Sequence, residues 1–234
     1  MRHLTRAEVT ALLRCSALFR TLDDDELDAL ASKAQPAEFP AGQTLVRRGD
    51  HGEAMIVVVT GHVKVVTTSD RGAELLINII EPGGILGELA LLDGGERSAD
   101  AVALENVEAV KLPRTAFLAF LRAHPRASIQ LLKLLSEKLR HTTELAEDAA
   151  FLDLPSRLYR RLVALAKLYG SQTDKGLLIA HKMPQKDLAG SIGASRESVN
   201  KQLRTWCSMG LIETGSGYAL IKDPHALERE VAER

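Results

Sequence analysis

Gly87-Glu88-Leu89-Ala90-Leu91-Leu92-Asp93-Gly94-Gly95-Glu96-Arg97-Ser98-Ala99 sets one short apolar segment between two glycine-bearing turns. The segment has room for a turn or two of helix. A carboxylate, Glu88, stands at its start, and an arginine and a hydroxyl follow its end. Backbone N–H groups at the start of a helix have no intrahelical acceptor, and the peptide dipoles add partial positive charge there, so an anion is favoured. Arg97 can clamp a phosphate through two parallel donors, a geometry lysine lacks. Ser98 adds a hydroxyl donor, and Glu88 is an acceptor suited to a sugar hydroxyl. The glycines let backbone approach a ligand without a Cβ in the way. The same residues also fit a plain tight turn with Glu88 and Arg97 as a structural ion pair.

The order and spacing of the whole run resemble the phosphate-binding cassette of cyclic-nucleotide-binding domains. That resemblance implies Glu88 on the ribose 2′-hydroxyl, Arg97 and Ser98 on the cyclic phosphate, and the backbone of Gly87, Leu89 and Ala99 lining the pocket.

Before the cassette, Gln43 to Arg47, Ala54 to Val59, His62 to Thr67 and Glu74 to Ile80 are β-rich runs, parted by Gly-Asp, Thr-Gly and Asp-Arg-Gly turns. Val102 and Val107 to Leu112 add two short strands after it. Strands of this length and spacing predict a small barrel or roll holding the cassette. Upstream, Arg6 to about Ala34 carries leucines at helical spacing, and Thr21 before Asp23, Asp24, Asp25 and Glu26 predicts a capped helix start.

His124-Pro125-Arg126 marks a boundary, with Pro125 suited to a first helical position. No glycine or proline follows until past Ala150. Positions 128, 131, 135, 138, 142, 145, 149 and 152 alternate steps of three and four, which predicts a heptad seam for a parallel two-helix dimer. A second stripe, Leu132, Leu139, Ala146 and Ala150, is expected to pack on the roll. Thr142 puts a hydroxyl into the seam and Thr143 follows it. The pair fits either a partly hydrated dimer interface or a polar ligand lying between roll and helix.

Past Phe151-Leu152-Asp153-Leu154-Pro155, Pro155 ends the pattern and Ser156 is expected to cap the next helix, which runs to about Tyr169. A short strand over Gly176 to Ile179 precedes a brief helix, Gln185 to Ile192, ending at Gly193 in a left-handed cap. A second helix opens at Ala194-Ser195-Arg196-Glu197 and runs to about Met209. Helix, glycine turn and helix is the spacing of a helix-turn-helix, and Leu211 to Thr214 with Tyr218 to Ile221 form the hairpin of a wing. Val199, Leu203 and Trp206 form an inward stripe, leaving Arg196, Glu197, Asn200, Lys201 and Arg204 outward.

Both segments resemble one family. Thr142-Thr143 to Phe151-Leu152-Asp153 is similar to the dimer helix and hinge of the cyclic-AMP receptor protein and fumarate–nitrate regulator family, in its cyclic-AMP branch. Gly193-Ala194-Ser195-Arg196-Glu197-Ser198-Val199 resembles the start of that family's recognition helix. The resemblance runs from about Leu13 to Lys222. It implies an α+β chain with an N-terminal cyclic-nucleotide-binding β-roll over residues 1–124, a long dimerisation helix and hinge over 125–152, and a C-terminal winged helix-turn-helix over 153–234. It also implies a homodimer on double-stranded DNA, with RNA polymerase as a further partner and cyclic AMP as effector, cyclic GMP remaining possible. Thr142 and Thr143 then hold the adenine amino group from different subunits. Arg196 is expected bidentate on a guanine and Glu197 on a cytosine amino group, with Ser195 and Ser198 as phosphate contacts. Asn200 and Lys201 share that outward face. Lys201 replaces the family activator's arginine, which removes the planar fork at one base.

Composition sets the remaining bounds. The 234 residues carry 30 basic and 31 acidic side chains. From Phe151 onward there are 13 basic against 9 acidic, and before it 17 against 22, so the end expected on DNA is the basic one. Cys15 and Cys207 stand far apart, which excludes a cysteine-rich zinc or iron–sulfur site; no metal is expected. A haem-based gas sensor of the same fold stays open through His51, His62 and His141. No catalytic residue is expected, because a zinc-protease His-Glu pair, a Walker loop and a nucleophile elbow are all lacking. No apolar run approaches a membrane span, and the start lacks the apolar core of a signal peptide, so a cytoplasmic protein without membrane contact is expected.

Overall fold

The computed structural model of the chain describes residues 5–20, 22–70, 72, 74–180, 185–215 and 218–232. They divide into two compact units, the first of Met1–Thr67 with Ile77–Arg140 and the second of Thr68–Leu76 with His141–Arg234.

The first unit opens on two short helices, α1 (Arg6–Cys15) and α2 (Asp24–Ala31), each started by a capping box. In α2 the cap is Asp23, whose carboxylate accepts from the Glu26 amide at 2.8 Å; the expected capping Thr21 lies outside the described residues. The strands follow: β1 (Gln35–Phe39), β2 (Thr44–Val46), β3 (Ala54–Thr60), β4 (Val63–Thr68), β5 (Glu74–Ile80), β6 (Ile85–Leu86), β7 (Asp100–Ala103) and β8 (Val107–Pro113). They form two four-stranded sheets, in the orders β1-β8-β3-β6 and β2-β7-β4-β5. The central strand β3 pairs with β8 on one side and β6 on the other. Its alternate residues therefore serve two cores: Met55 and Val57 join the leucines and phenylalanines of the helices, while Ile56 and Val58 join Val63, Ala101 and Ala109. That is why Met55 to Val58 reads as an unbroken apolar run. Of the expected turn between β4 and β5, Arg71 lies outside the described residues.

A helix absent from the sequence reading, α4 (Arg114–Ala123), leads into α5 (Pro125–Phe151), which starts on the proline as expected. The two expected faces of α5 are exchanged. Leu131 is buried and packs with Leu134 and Leu135 on the core shared with α1, α2 and α4. Leu132 and Leu139, expected on the roll, are 58% and 68% exposed, with Ile129 at 54%. The period was right and the side was wrong: two apolar stripes of equal spacing run along this helix, and spacing alone does not say which meets the roll.

In the second unit, α6 (Leu154–Tyr169) begins one turn earlier than Ser156 predicts. Asp153 is its cap, accepting from the Ser156 amide at 2.9 Å, and Pro155 sits inside the first turn, where its missing N–H costs nothing. The sheet β11-β12-β10-β9 gathers β9 (Gly170–Thr173), β10 (Gly176–Ile179), β11 (Ile212–Gly215) and β12 (Tyr218–Ile221). Helices α7 (Gln185–Gly190), α8 (Arg196–Ser208) and α9 (Pro224–Ala232) complete it. Trp206, Val199 and Leu203 of α8 sit in one core with Leu158, Leu162 and Leu165 of α6, as their inward stripe requires. The wing's tip, Ser216 and Gly217, lies outside the described residues.

Candidate ligand and nucleic-acid sites

The cassette is built at the end of β6. Gly87 turns the chain with φ 82°, and α3 (Glu88–Asp93) follows without a side-chain cap on its first turn. No L side chain adopts that backbone readily, and a Cβ on Gly87 would overlap the guanidinium of Arg97, so glycine is required twice over. The return strand is tied to the loop before β3: the Arg97 amide donates to the Asp50 carbonyl at 2.8 Å and the Gly49 amide to the Arg97 carbonyl at 3.0 Å. From α4, Arg114 Nε donates to the Leu91 carbonyl at 3.0 Å and fixes the end of α3.

Glu88 and Arg97 are both buried, at 2% and 7% exposure. They are not the simple ion pair that a structural turn would need. Arg97 Nη1 donates to the Gly87 carbonyl at 2.7 Å and Nη2 to the Ala54 carbonyl at 2.5 Å. Burial pushes its pKa down, opposed by the charges of Glu88 and then Asp50. Glu88 instead meets Lys138 of α5, whose Nζ stands 2.7 Å from Oε1 and 3.4 Å from the Ile85 carbonyl. Two cations and two carboxylates thus share one small region, with Glu88 the most deeply buried. Ser98 is exposed beside Arg97, Ala99 is buried and Leu89 is 46% exposed. Sequence reasoning placed Lys138 on a dimer seam and missed this role. The available signal was a lone cation among the seam positions, which are otherwise apolar or hydroxyl-bearing.

Thr142 and Thr143 both stand exposed on α5. At about 100° per residue, Thr142 lies roughly 40° around the helix from Lys138, whereas Thr143 lies roughly 40° from Leu139, on the exposed stripe.

The second constellation surrounds α8. Gly193 takes φ 61° in the turn between α7 and α8, as the left-handed cap requires. Ser195 caps α8: its Oγ accepts from the Ser198 amide at 3.1 Å and donates to Ser198 Oγ at 2.9 Å. Both hydroxyls are exposed. Arg196, Glu197 and Lys201 are exposed and Asn200 is half-buried. An open concave surface is lined by Glu197, Asn200, Lys201, Arg204, Thr205 and Ser208. Thr205 and Ser208 were missed from sequence, although they follow Lys201 and Arg204 at steps of four. Such a face presents guanidinium, ammonium, carboxylate and amide groups at one helix pitch, the inventory for reading base edges.

Of the histidines considered as haem ligands, His62 has Nδ1 2.6 Å from Glu105 Oε1, and His51 is exposed, its backbone forming an isolated antiparallel β-bridge with Glu96. Among the described residues, no group of three or more His, Cys, Asp or Glu residues could hold a metal ion. No helix among them is long and apolar enough to cross a membrane.

Comparison with known proteins bears on both constellations. The cyclic nucleotide-binding domain family matches residues 36–124, and the Crp-like helix-turn-helix domain family matches residues 156–230. The chain is 33% identical over 218 residues to a CRP-like cAMP-activated global transcriptional regulator of Mycobacterium tuberculosis, covering 93% of this chain and 97% of that one. It is 31% identical to a cyclic AMP receptor protein of Thermus thermophilus, covering 92% and 97%. Its fold is similar to that of the global regulator CLP of Xanthomonas campestris, with a TM-score of 0.77 at 22% identity over 86% of this chain and all of that one. The chain belongs to the CRP/FNR family of transcription regulators and is not an enzyme.

Proposed function

We propose, from that membership, that the chain is a homodimeric regulator whose binding to double-stranded DNA is switched by cyclic AMP. The division into residues 1–124, 125–152 and 153–234 is part of the reading. The observation that carries it is the charge arrangement of the cassette, where buried Glu88 is held by Lys138 from α5 and buried Arg97 lies beside the α3 start.

In this reading Glu88 accepts from the ribose 2′-hydroxyl. Arg97 and Ser98 donate to the cyclic phosphate, with backbone of Gly87, Leu89 and Ala99 around them. A ligand that hydrogen-bonds Glu88 acts on the partner of Lys138, and so on α5. Thr142 donates or accepts at the adenine edge from the same subunit, and Thr143 from the other. The exposed stripe Ile129, Leu132, Leu139, Ala146 and Ala150 supports a parallel helix pair, since it repeats at steps of three, four and seven and includes Thr143 at the same pitch. Two α8 helices then enter successive major grooves, roughly 34 Å apart on an inverted repeat.

Arg196 reads a guanine, Glu197 a cytosine amino group, and Asn200 and Lys201 the bases or backbone one turn on. Ser195 and Ser198 contact phosphate. The half-site is TGTGA or a close variant, RNA polymerase is a partner by family, and the work is done in the cytoplasm. Cyclic GMP binds but switches less well. The test is calorimetry with each nucleotide, followed by DNA binding at fixed salt. Failure of cyclic AMP to bind would reject the effector, and equal activation by both nucleotides would reject the preference.

A further inference from the structure

Away from the cassette and from α8, one ion pair joins two segments far apart in the chain. Lys186, in the first turn of α7, has Nζ 2.8 Å from Oε1 of Glu74, the first residue of β5. Both belong to the second compact unit, which includes Thr68–Leu76. Packing reinforces the pair. A Cβ on Gly190 would stand 3.2 Å from the Glu74 carbonyl oxygen and 3.5 Å from the Leu76 nitrogen, so the far end of α7 lies against the same strand. One on Gly193 would stand 3.8 Å from Leu75. Meanwhile Leu188, Ala189 and Ile192 turn into the unit's own core. Helix α7 is therefore fixed on both sides, with the Lys186 side chain 64% exposed and that of Glu74 27%.

In a helix-turn-helix the second helix enters the groove while the first crosses the DNA backbone. Lys186 sits on that first helix. An ammonium group binds phosphate as a point charge and takes a carboxylate oxygen in the same way. We propose that Lys186 is a DNA-backbone contact held in reserve by Glu74, whose carboxylate occupies the ammonium group until phosphate displaces it. The proposal rests on the DNA-binding reading and extends it to a residue outside α8. Lys186 adds affinity at any sequence, unlike Arg196 and Glu197.

The experiment uses the full chain and two duplexes of equal length, one with the inverted repeat and one scrambled, followed by anisotropy between about 50 and 200 mM salt. Lys186→Gln is expected to weaken both duplexes by the same factor and to make the log–log salt slope shallower by about 0.9, the share of one phosphate contact. Lys186→Arg, which keeps the charge, is expected to keep the slope. Glu74→Gln is expected to tighten both duplexes by about two- to five-fold, the range for so exposed a pair. That gain is expected to vanish when Lys186→Gln is added. An unchanged slope in Lys186→Gln would overturn the contact. A Glu74→Gln gain that persists without Lys186 would overturn the reserve, leaving only a general charge effect. Wild-type protein that binds both duplexes equally, with the Lys186 effect intact, would reject sequence-specific reading while supporting this contact.

Discussion

The contact that most directly ties the cassette to α5 is Lys138 on Glu88, and its removal has a calculable cost. In Lys138→Met the aliphatic stem is kept and the ammonium group is lost. Glu88 is left almost wholly buried without its ion-pair partner at 2.7 Å. Breaking a fully buried pair by removing one member costs about 3–5 kcal/mol, and an exposed pair contributes about 0–1 kcal/mol. The Glu88 side chain is 3% exposed and that of Lys138 34%, so the expectation falls between, at about 1–3 kcal/mol. Arg97 acts on the same carboxylate through its charge and prevents the full penalty. Glu88→Gln in the Lys138→Met background removes the unpaired charge and keeps the shape, so most of the loss should return. The assay is urea unfolding of the four proteins followed by far-ultraviolet circular dichroism, because the single tryptophan, Trp206, reports on the other unit. Stability of Lys138→Met within about 0.5 kcal/mol of wild type, with additive effects in the double variant, would refute the reasoning. A second readout follows from the function: Lys138→Met should bind cyclic AMP yet transmit it poorly to DNA.

Arg97→Leu should abolish nucleotide binding in calorimetry, since a hydrogen bond to a charged group contributes about 1.5–3 kcal/mol. It should also lower Tm while leaving a folded chain, because the carbonyls of Gly87 and Ala54 lose their donor. Arg196→Ala should weaken the cognate site by about 1–3 kcal/mol and relax preference at one guanine; an equal loss on all sequences would make Arg196 a phosphate contact instead. Leu132→Asp with Leu139→Asp should shift sedimentation from dimer to monomer without loss of helix, because both side chains are exposed in the single chain. Thr143→Ala should impair activation of DNA binding by cyclic AMP more than affinity for it. A variant that still switches fully would remove the cross-subunit role.

What the sequence made legible was whatever repeats or punctuates. Val199, Leu203 and Trp206 declared the buried face of α8, and Pro125 declared the start of α5, because periodicity and a locked φ are local properties. The strands β3 and β5 appeared for the same reason. The two-residue β6 did not, since Ile85 and Leu86 owe their strand state to pairing with Val57 and Ile56, which lie far back along the chain in β3. Helix α4 was hidden behind a boundary signal at His124. The cap of α6 was misassigned because Asp153 and Ser156 both fit the role, and only the helix's true start separates them. The partner of Glu88 was beyond local reasoning: Lys138 is fifty residues away, and although it is the one cation on its seam, nothing local says which carboxylate it meets.

The exchange of faces on α5 changes how a ligand signal can travel. Had Leu132 and Leu139 met the roll, Thr143 would have shared the roll-facing side of the helix and Thr142 would have turned away from it. With Leu131 and Lys138 turned to the roll instead, Thr142 and Thr143 fall on opposite sides of the boundary between the roll-facing and exposed stripes. Adjacent residues on a helix differ by about 100°, enough to aim one hydroxyl at the subunit's own nucleotide and the next across a helix pair. In the proposed reading, a ligand held by Glu88 bears on α5 through Lys138, while its base bears on the paired helix through Thr143. Coupling of this kind needs differential contact in two states rather than a long mechanical path.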